Sequence, residues 1–129
     1  MLVVDASVIA PAVADAGADG AAFRQRLRGE MIAVPDLLGV EVVSVLRRQV
    51  AASLITPAQA SAALDDLLDL PLSVFPTGPL LRRVWQLREN LTAYDACYVA
   101  LAEALDCTLL TADARLTNAP GARCSFESA

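Results

Sequence analysis

Leu2–Ile9, LVVDASVI, reads as a short apolar strand that stops at an acid and turns into a helix. The run Leu2-Val3-Val4 shows no polar alternation, which suits a strand covered on both faces rather than one with a wet side. The same kind of run recurs along the chain. Met31–Val34, Leu72–Phe75, Thr108–Thr111 and Arg123–Phe126 read as further strands. Helical patterns fill the intervals: Ala18–Arg28, preceded by a short helix near Val8–Ala14. Asp36 stands where an N-cap would open a helix running to about Ala51. Thr56-Pro57-Ala58-Gln59 has the form of a capping box with proline at the first helical position, opening a helix to about Asp69. Pro79–Leu91 carries an apolar stripe of Leu80, Val84, Leu87 and Leu91, and Thr92 is placed to cap a helix ending near Leu105. Strands alternating with helices predict a parallel α/β sheet with right-handed crossovers, in a single domain spanning residues 1–129.

The 129 residues suit one domain, and more than half are apolar, enough to build a core. No run of eighteen apolar residues exists to cross a membrane. The N-terminus has no basic stretch, and Asp5 interrupts its apolar run, so it does not read as a signal peptide. Cys97, Cys107 and Cys124 are odd in number and lack metal-ligand spacing. They read as reduced core thiols of a cytoplasmic protein. Without histidine, a cysteine nucleophile lacks its usual basic partner. The net charge of −5 argues against tight, non-specific duplex binding. All ten basic residues are arginines, which can grip a phosphate through a bidentate fork.

Four acids stand in apolar surroundings. Asp5 ends LVVD, Glu41 interrupts LLGVEVVSVL, Asp95 lies in YDACYVALA, and Asp113 follows TLLTA. A buried carboxylate must be neutralised, hydrogen-bonded or bound to metal, because an unpaired buried charge costs several kcal/mol. Singly, each has an ordinary explanation: an N-cap or turn for Asp5 and Asp113, the edge of an amphipathic stripe for Glu41, the helix dipole for Asp95. Together they suggest one divalent-cation site. An oxygen-only donor set suits Mg²⁺ or Mn²⁺ and disfavours zinc. Ser7, Thr92 and Thr111 lie close in sequence to the acids and can support them. Arg47, Arg48 and Arg115 are the arginines best placed to meet a phosphate. In open parallel sheets, ligands bind beyond the carboxyl ends of the strands, where Asp5 and Asp113 are expected.

Two other classes compete. A Mg²⁺-dependent phosphatase or phosphoacceptor domain also places an aspartate after its first strand. It usually needs a second acid two residues on, where Ser7 stands, and a lysine, which is absent. A non-catalytic oligomeric binding module would use apolar helix faces such as Leu64, Leu67 and Leu68.

The segments VVDASVI, VPDLLGVEVVSVLRR, LTAYDACYVALAEAL and TLLTADARL, in that order, resemble the PIN-domain ribonucleases and most closely the VapC-type toxins of bacterial toxin–antitoxin pairs. The four acidic positions of the family pattern are filled by Asp5, Glu41, Asp95 and Asp113. Ser44 departs from it, since many relatives carry asparagine there. The resemblance implies a three-layer domain, with a five-stranded parallel sheet flanked by helices and Mg²⁺ or Mn²⁺ at an acidic crevice. It implies metal-dependent endonucleolytic cleavage of RNA, with Ser44 beside Glu41. It also implies a homodimer inhibited by a VapB-like antitoxin. Composition and spacing alone lead only to a carboxylate–metal site on an α/β domain.

Overall fold

The computed structural model describes residues 1–129. Strands β1 (Leu2–Val4), β2 (Ile32–Pro35), β3 (Leu72–Phe75), β4 (Thr108–Thr111) and β5 (Phe126–Ser128) form one sheet in the order β3-β2-β1-β4-β5. Every pairing is parallel. The helices are α1 (Ala6–Ala14), α2 (Ala18–Leu27), α3 (Leu38–Ala51), α4 (Pro57–Asp69), α5 (Leu81–Gln86), α6 (Ala93–Leu105) and α7 (Ala114–Thr117). Right-handed connections put α1–α4 on one face and α5–α6 on the other. The packing follows: α1 meets α2, α3 and α4, while α5 meets α6, which lies on β1, β2 and β4.

β1 and β2 are buried along their whole length, as their unbroken apolar runs require. The edge strands β3 and β5 are partly exposed. Helix α6 is buried without a break from Ala96 to Ala102. Three of those seven residues are alanines, which lets the helix lie close to the sheet. Val3 and Val4 of β1 and Leu109 and Leu110 of β4 have no exposed surface, one of each pair turned to the α6 face and the other to the opposite face.

Five expectations about element limits need correction. Met31 is exposed and lies before β2, which ends instead at Pro35. Asp36 does not cap α3. Its backbone N–H still donates to the Phe75 carbonyl, extending the β2–β3 ladder, and α3 starts one residue later, with Leu37 as its N-cap and no side-chain cap bond. Helix α1 starts at Ala6, two residues earlier than expected, with Asp5 as its N-cap. Pro79–Leu91 is not one helix. A 3₁₀ turn at Gly78–Leu80 precedes α5, and the chain leaves helical geometry at Leu87. The stripe still holds, since Leu80, Val84 and Leu87 are buried. The last strand is Phe126–Ser128 rather than Arg123–Phe126, because Phe126 pairs with Leu109 and fixes the register.

The strand order reverses between β1 and β4. β1 leads outward to β2, while β4 leads the opposite way to β5. Loops leaving two neighbouring strands in opposite directions open a crevice at their carboxyl ends.

Candidate metal centre

Asp5 and Thr111 lie at the mouth of that crevice, just past the Val4–Leu110 register pair and at the end of β4. Asp5 is 5 % exposed. Its Oδ1 accepts from the Ser7 backbone N–H at 3.1 Å and from the Ser7 hydroxyl at 2.5 Å. Its Oδ2 accepts from the Thr111 hydroxyl at 2.5 Å. The two hydroxyls in turn accept backbone N–H groups: Ala112 to Ser7 Oγ at 2.9 Å, and Asp113 to Thr111 Oγ1 at 3.0 Å. Ser7 Oγ and Thr111 Oγ1 are also 3.3 Å apart. Each hydroxyl hydrogen is already committed to Asp5, so that approach is contact rather than a bond. Through this network the first strand fixes the loop that carries Asp113.

Glu41 projects from the first turn of α3 and is half-buried. Its Oε1 accepts from the hydroxyl of Tyr98, a side chain of α6 only 1 % exposed. Asp95 is held at the first turn of α6, where its backbone N–H donates to the Thr92 hydroxyl at 3.2 Å. Asp113 caps the short helix α7. Both its oxygens accept from Arg115, at 3.2 and 3.0 Å. Of the four acids, Asp113 is the one engaged by an arginine.

Burial and neighbouring charge set the proton affinities of these groups. Burial pushes the Asp5 carboxyl up, against the hydrogen bonds from Ser7 and Thr111, and the charge of Asp95 adds to the rise. Burial also pushes Glu41 up, and there Asp95 and Asp5 both contribute. Asp95 is raised by burial and by Asp113. Asp113 is lowered by the Arg115 side chain. Asp95 thus acts on Asp5 and Glu41 and is acted on by Asp113, so the four carboxylates form one connected field.

They do not form a closed cage, since no three acidic, thiol or imidazole groups are drawn together as ready ligands. That spacing is compatible with Mg²⁺, which keeps several waters and binds through one or two carboxylates. The donor chemistry fits a hard divalent cation: all oxygen, mutually repelling, and raised in proton affinity by burial.

The family profile of the PIN domain matches residues 2–122. The chain belongs to the PIN-domain family. This PIN domain is 46% identical over 126 residues to ribonuclease VapC1 of Mycobacterium tuberculosis, an alignment covering 97% of this chain and 95% of VapC1. Among solved structures it resembles M. tuberculosis VapC20, a sarcin–ricin-loop-cleaving toxin, with a TM-score of 0.72 and 15% identity, covering 91% of this chain and 93% of the other. It also resembles VapBC2 from Rickettsia felis, solved bound to a DNA fragment from its promoter. There the TM-score is 0.70 and the identity 14%, covering 98% of this chain and 97% of the other.

Ser7 and Thr111 touch Asp5 directly, and Thr92 holds the backbone beside Asp95. Ser44 turns elsewhere: its hydroxyl accepts from Arg48 Nη1 at 3.1 Å. Arg48 and Ser44 line a groove of about 380 Å³ with Glu41 and Tyr94. Arg47 is exposed and makes no side-chain hydrogen bond. Arg115 is 90% exposed although paired with Asp113. Other arginines of this PIN domain are structural. Arg26 ties α2 to Glu127 of β5, and Arg83 pairs with Glu103 and donates to the Gly121 carbonyl. Sequence reasoning missed the role of Tyr98, which reads as apolar packing at its helical spacing. A tyrosine reaching an acid is visible only once the sheet brings the first turn of α3 and the side chain of Tyr98 to the same crevice. The thiols also need revision: Cys97 belongs to the core, but Cys107 and Cys124 are only half-buried.

Proposed function

We propose that this PIN domain is a Mg²⁺- or Mn²⁺-dependent endoribonuclease, the cytoplasmic toxin of a VapBC-like toxin–antitoxin pair. The observation that carries the proposal is Asp5, held by Ser7 and Thr111 at the reversal of strand order, with Glu41, Asp95 and Asp113 near enough for their charges to bear on one another. Near-complete alignment with a VapC ribonuclease supports RNA as the substrate.

Asp5, Glu41 and Asp95 would hold the cation, one or two directly and the rest through its bound waters, with Asp113 at the rim. When bound, the cation supplies a Lewis acid for phosphate oxygens and lowers the pKa of a bound water. The protein residues supply orientation. Ser7 and Thr111 fix both oxygens of Asp5, and Tyr98 fixes one oxygen of Glu41, so these carboxylates need little reorganisation. Asp95 faces the others with its charge uncompensated by an arginine hydrogen bond, which favours a cation over a second anion. Arg48, steadied by Ser44 in the groove beside Glu41, is placed to receive a backbone phosphate of the RNA. Arg47 and Arg115 extend that basic rim.

The phosphoacceptor alternative fares worse. Both oxygens of Asp5 accept hydrogen bonds, which blunts the carboxylate as a nucleophile, and no lysine exists to stabilise an acyl phosphate. A VapB-like antitoxin and a homodimer are partners we propose by similarity to VapC proteins. No helix is long and apolar enough to cross a membrane.

The test is cleavage of single-stranded and structured RNA in Mg²⁺ or Mn²⁺. Cleavage should vanish in EDTA and fall at least about a hundredfold in Asp5→Asn. Cleavage that survives both treatments overturns the mechanism.

A further inference from the structure

At the opposite end of the sheet from the acidic crevice, two of the three thiols lie just before neighbouring strands, Cys107 one residue ahead of β4 and Cys124 two residues ahead of β5, and line one cavity. Leu109 of β4 pairs with Phe126 of β5, and the same register carried two residues back, past the start of both strands, sets Cys107 against Cys124. The ladder reaches back toward them: the Leu109 N–H donates to the Ser125 carbonyl at 2.9 Å. Neighbouring strands lie about 4.8 Å apart, and register partners project from the same face. A disulfide accepts Cα separations of about 4.4–6.8 Å, a range that the strand spacing meets if the register holds for two residues beyond the ladder. Both cysteines line one cavity of about 360 Å³, together with Glu103, Asp106, Thr108 and Arg123. Both are free thiols and half-exposed, whereas Cys97 is 5% exposed inside the core.

We propose that Cys107 and Cys124 are a redox-active pair that closes a disulfide between β4 and β5 when the chain meets a low-molecular-weight disulfide such as oxidised glutathione. One protein thiolate attacks a sulfur of the glutathione disulfide and releases one glutathione thiolate, leaving a mixed disulfide. The second protein thiolate attacks the protein sulfur of that mixed disulfide and releases the second glutathione thiolate. Two protein thiols are oxidised, one small disulfide is reduced, and two protons end on two glutathione molecules. Burial and Glu103 push the Cys124 thiol up to about 11, and burial pushes Cys107 up. The exchange is therefore slow near neutrality and faster in mild alkali.

The bond would close the segment 108–123, which carries Thr111, Asp113 and α7. It would also pin β5, a three-residue edge strand that ends the sheet. Closing a loop of this size removes unfolded-state entropy, so oxidation should raise the Tm by roughly 5 °C or more. Because the pair is remote from the carboxyl-end crevice, this outcome does not depend on the ribonuclease reading.

The experiment treats the full chain and its Cys97→Ser variant with oxidised glutathione at about pH 8.5, near the free-thiol pKa, followed by alkylation, intact mass and tryptic mapping. Cys97 and Cys107 fall within one tryptic peptide, so the variant makes the assignment unambiguous. The expected result is loss of two hydrogens, a peptide pair joining Cys107 to Cys124 in the variant, and a raised Tm that dithiothreitol reverses. Cys124→Ser should show neither the link nor the Tm shift. Stable glutathione adducts on unpaired cysteines, a Cys97 linkage in the full chain, or bonds only between chains would each overturn the proposal. The wild-type and Cys97→Ser mapping keeps the test decisive even where Cys124→Ser folds poorly.

Discussion

Asp5 accepts three hydrogen bonds and still holds its proton more tightly than a free aspartate, because burial outweighs the donors. Asp95 carries the same tension, with burial and Asp113 raising it more than the Thr92 hydroxyl and the charge of Arg115 lower it. Its proton affinity is raised by burial and by Asp113, so the folded chain binds more protons than the unfolded one above the ordinary value of 3.8. Stability from this group is therefore greatest at low pH and falls as pH rises through the raised pKa. Asp95→Asn removes the penalty. It should raise the Tm by a few degrees in metal-free buffer at pH 7 while abolishing RNA cleavage, a pairing that melting curves and a cleavage assay can check. Tyr98→Phe keeps the packing but frees Glu41. Cleavage should drop about 10–100-fold, with a higher Mg²⁺ requirement and a nearly unchanged melting curve, as a metal titration of activity would report. A drop in Tm with unaltered metal dependence would make Tyr98 a packing residue only. The four acids were legible because carboxylates in apolar runs demand an explanation. Their partners were not: Tyr98 lies 57 residues from Glu41, and Thr111 lies 106 residues from Asp5, so only the folded chain joins them.

The elements were read best where a local rule acts alone. The Thr56 hydroxyl accepts from the Gln59 N–H at 3.1 Å, and the Gln59 side chain accepts from the Thr56 N–H at 2.8 Å, as the capping-box spacing predicts. Thr56→Ala should cost about 1 kcal/mol, seen in denaturant melts, and leave cleavage unchanged, since α4 opens far from the acids. Boundaries failed where a neighbour overrode the local signal. Asp36 has the right side chain for a cap, but its backbone N–H is held by the Phe75 carbonyl at the end of the β2–β3 ladder, and a turn carries the chain on to Leu37, which takes the N-cap position. β5 escaped its apolar signature because an edge strand is only half covered. Its Glu127 is instead held by Arg26 of α2, and that pairing lowers its carboxyl pKa. Leu110 sits at the centre of β4 with no exposure, so Leu110→Ala should cost about 2–5 kcal/mol in the same melts.

At the scale of the molecule, two kinds of acid oppose one another. Burial pushes Glu103 up, but the Arg83 guanidinium and the Arg123 N–H more than reverse this and leave its carboxyl below the ordinary 4.5. The Arg83 pairing therefore stabilises the fold above that pH and is lost as pH falls below it. Glu103→Gln should soften acid unfolding below about pH 4.5 and lower stability at pH 7 by roughly 2 kcal/mol, measured by chemical melts at both pH values. Asp5, Glu41 and Asp95 run the other way, which is the expected signature of a site that keeps its charges for a ligand rather than for the fold, while Asp113 is held low by Arg115. The parallel order and its reversal between β1 and β4 bring these charges together from four separate segments of the chain. Mn²⁺ binding to the full chain, followed by calorimetry near pH 7, tests that convergence most directly. The account predicts saturable binding that weakens at least about tenfold in each of Asp5→Asn, Glu41→Gln and Asp95→Asn, and less in Asp113→Asn, whose carboxylate Arg115 already engages. Binding unchanged in all three variants would contradict it.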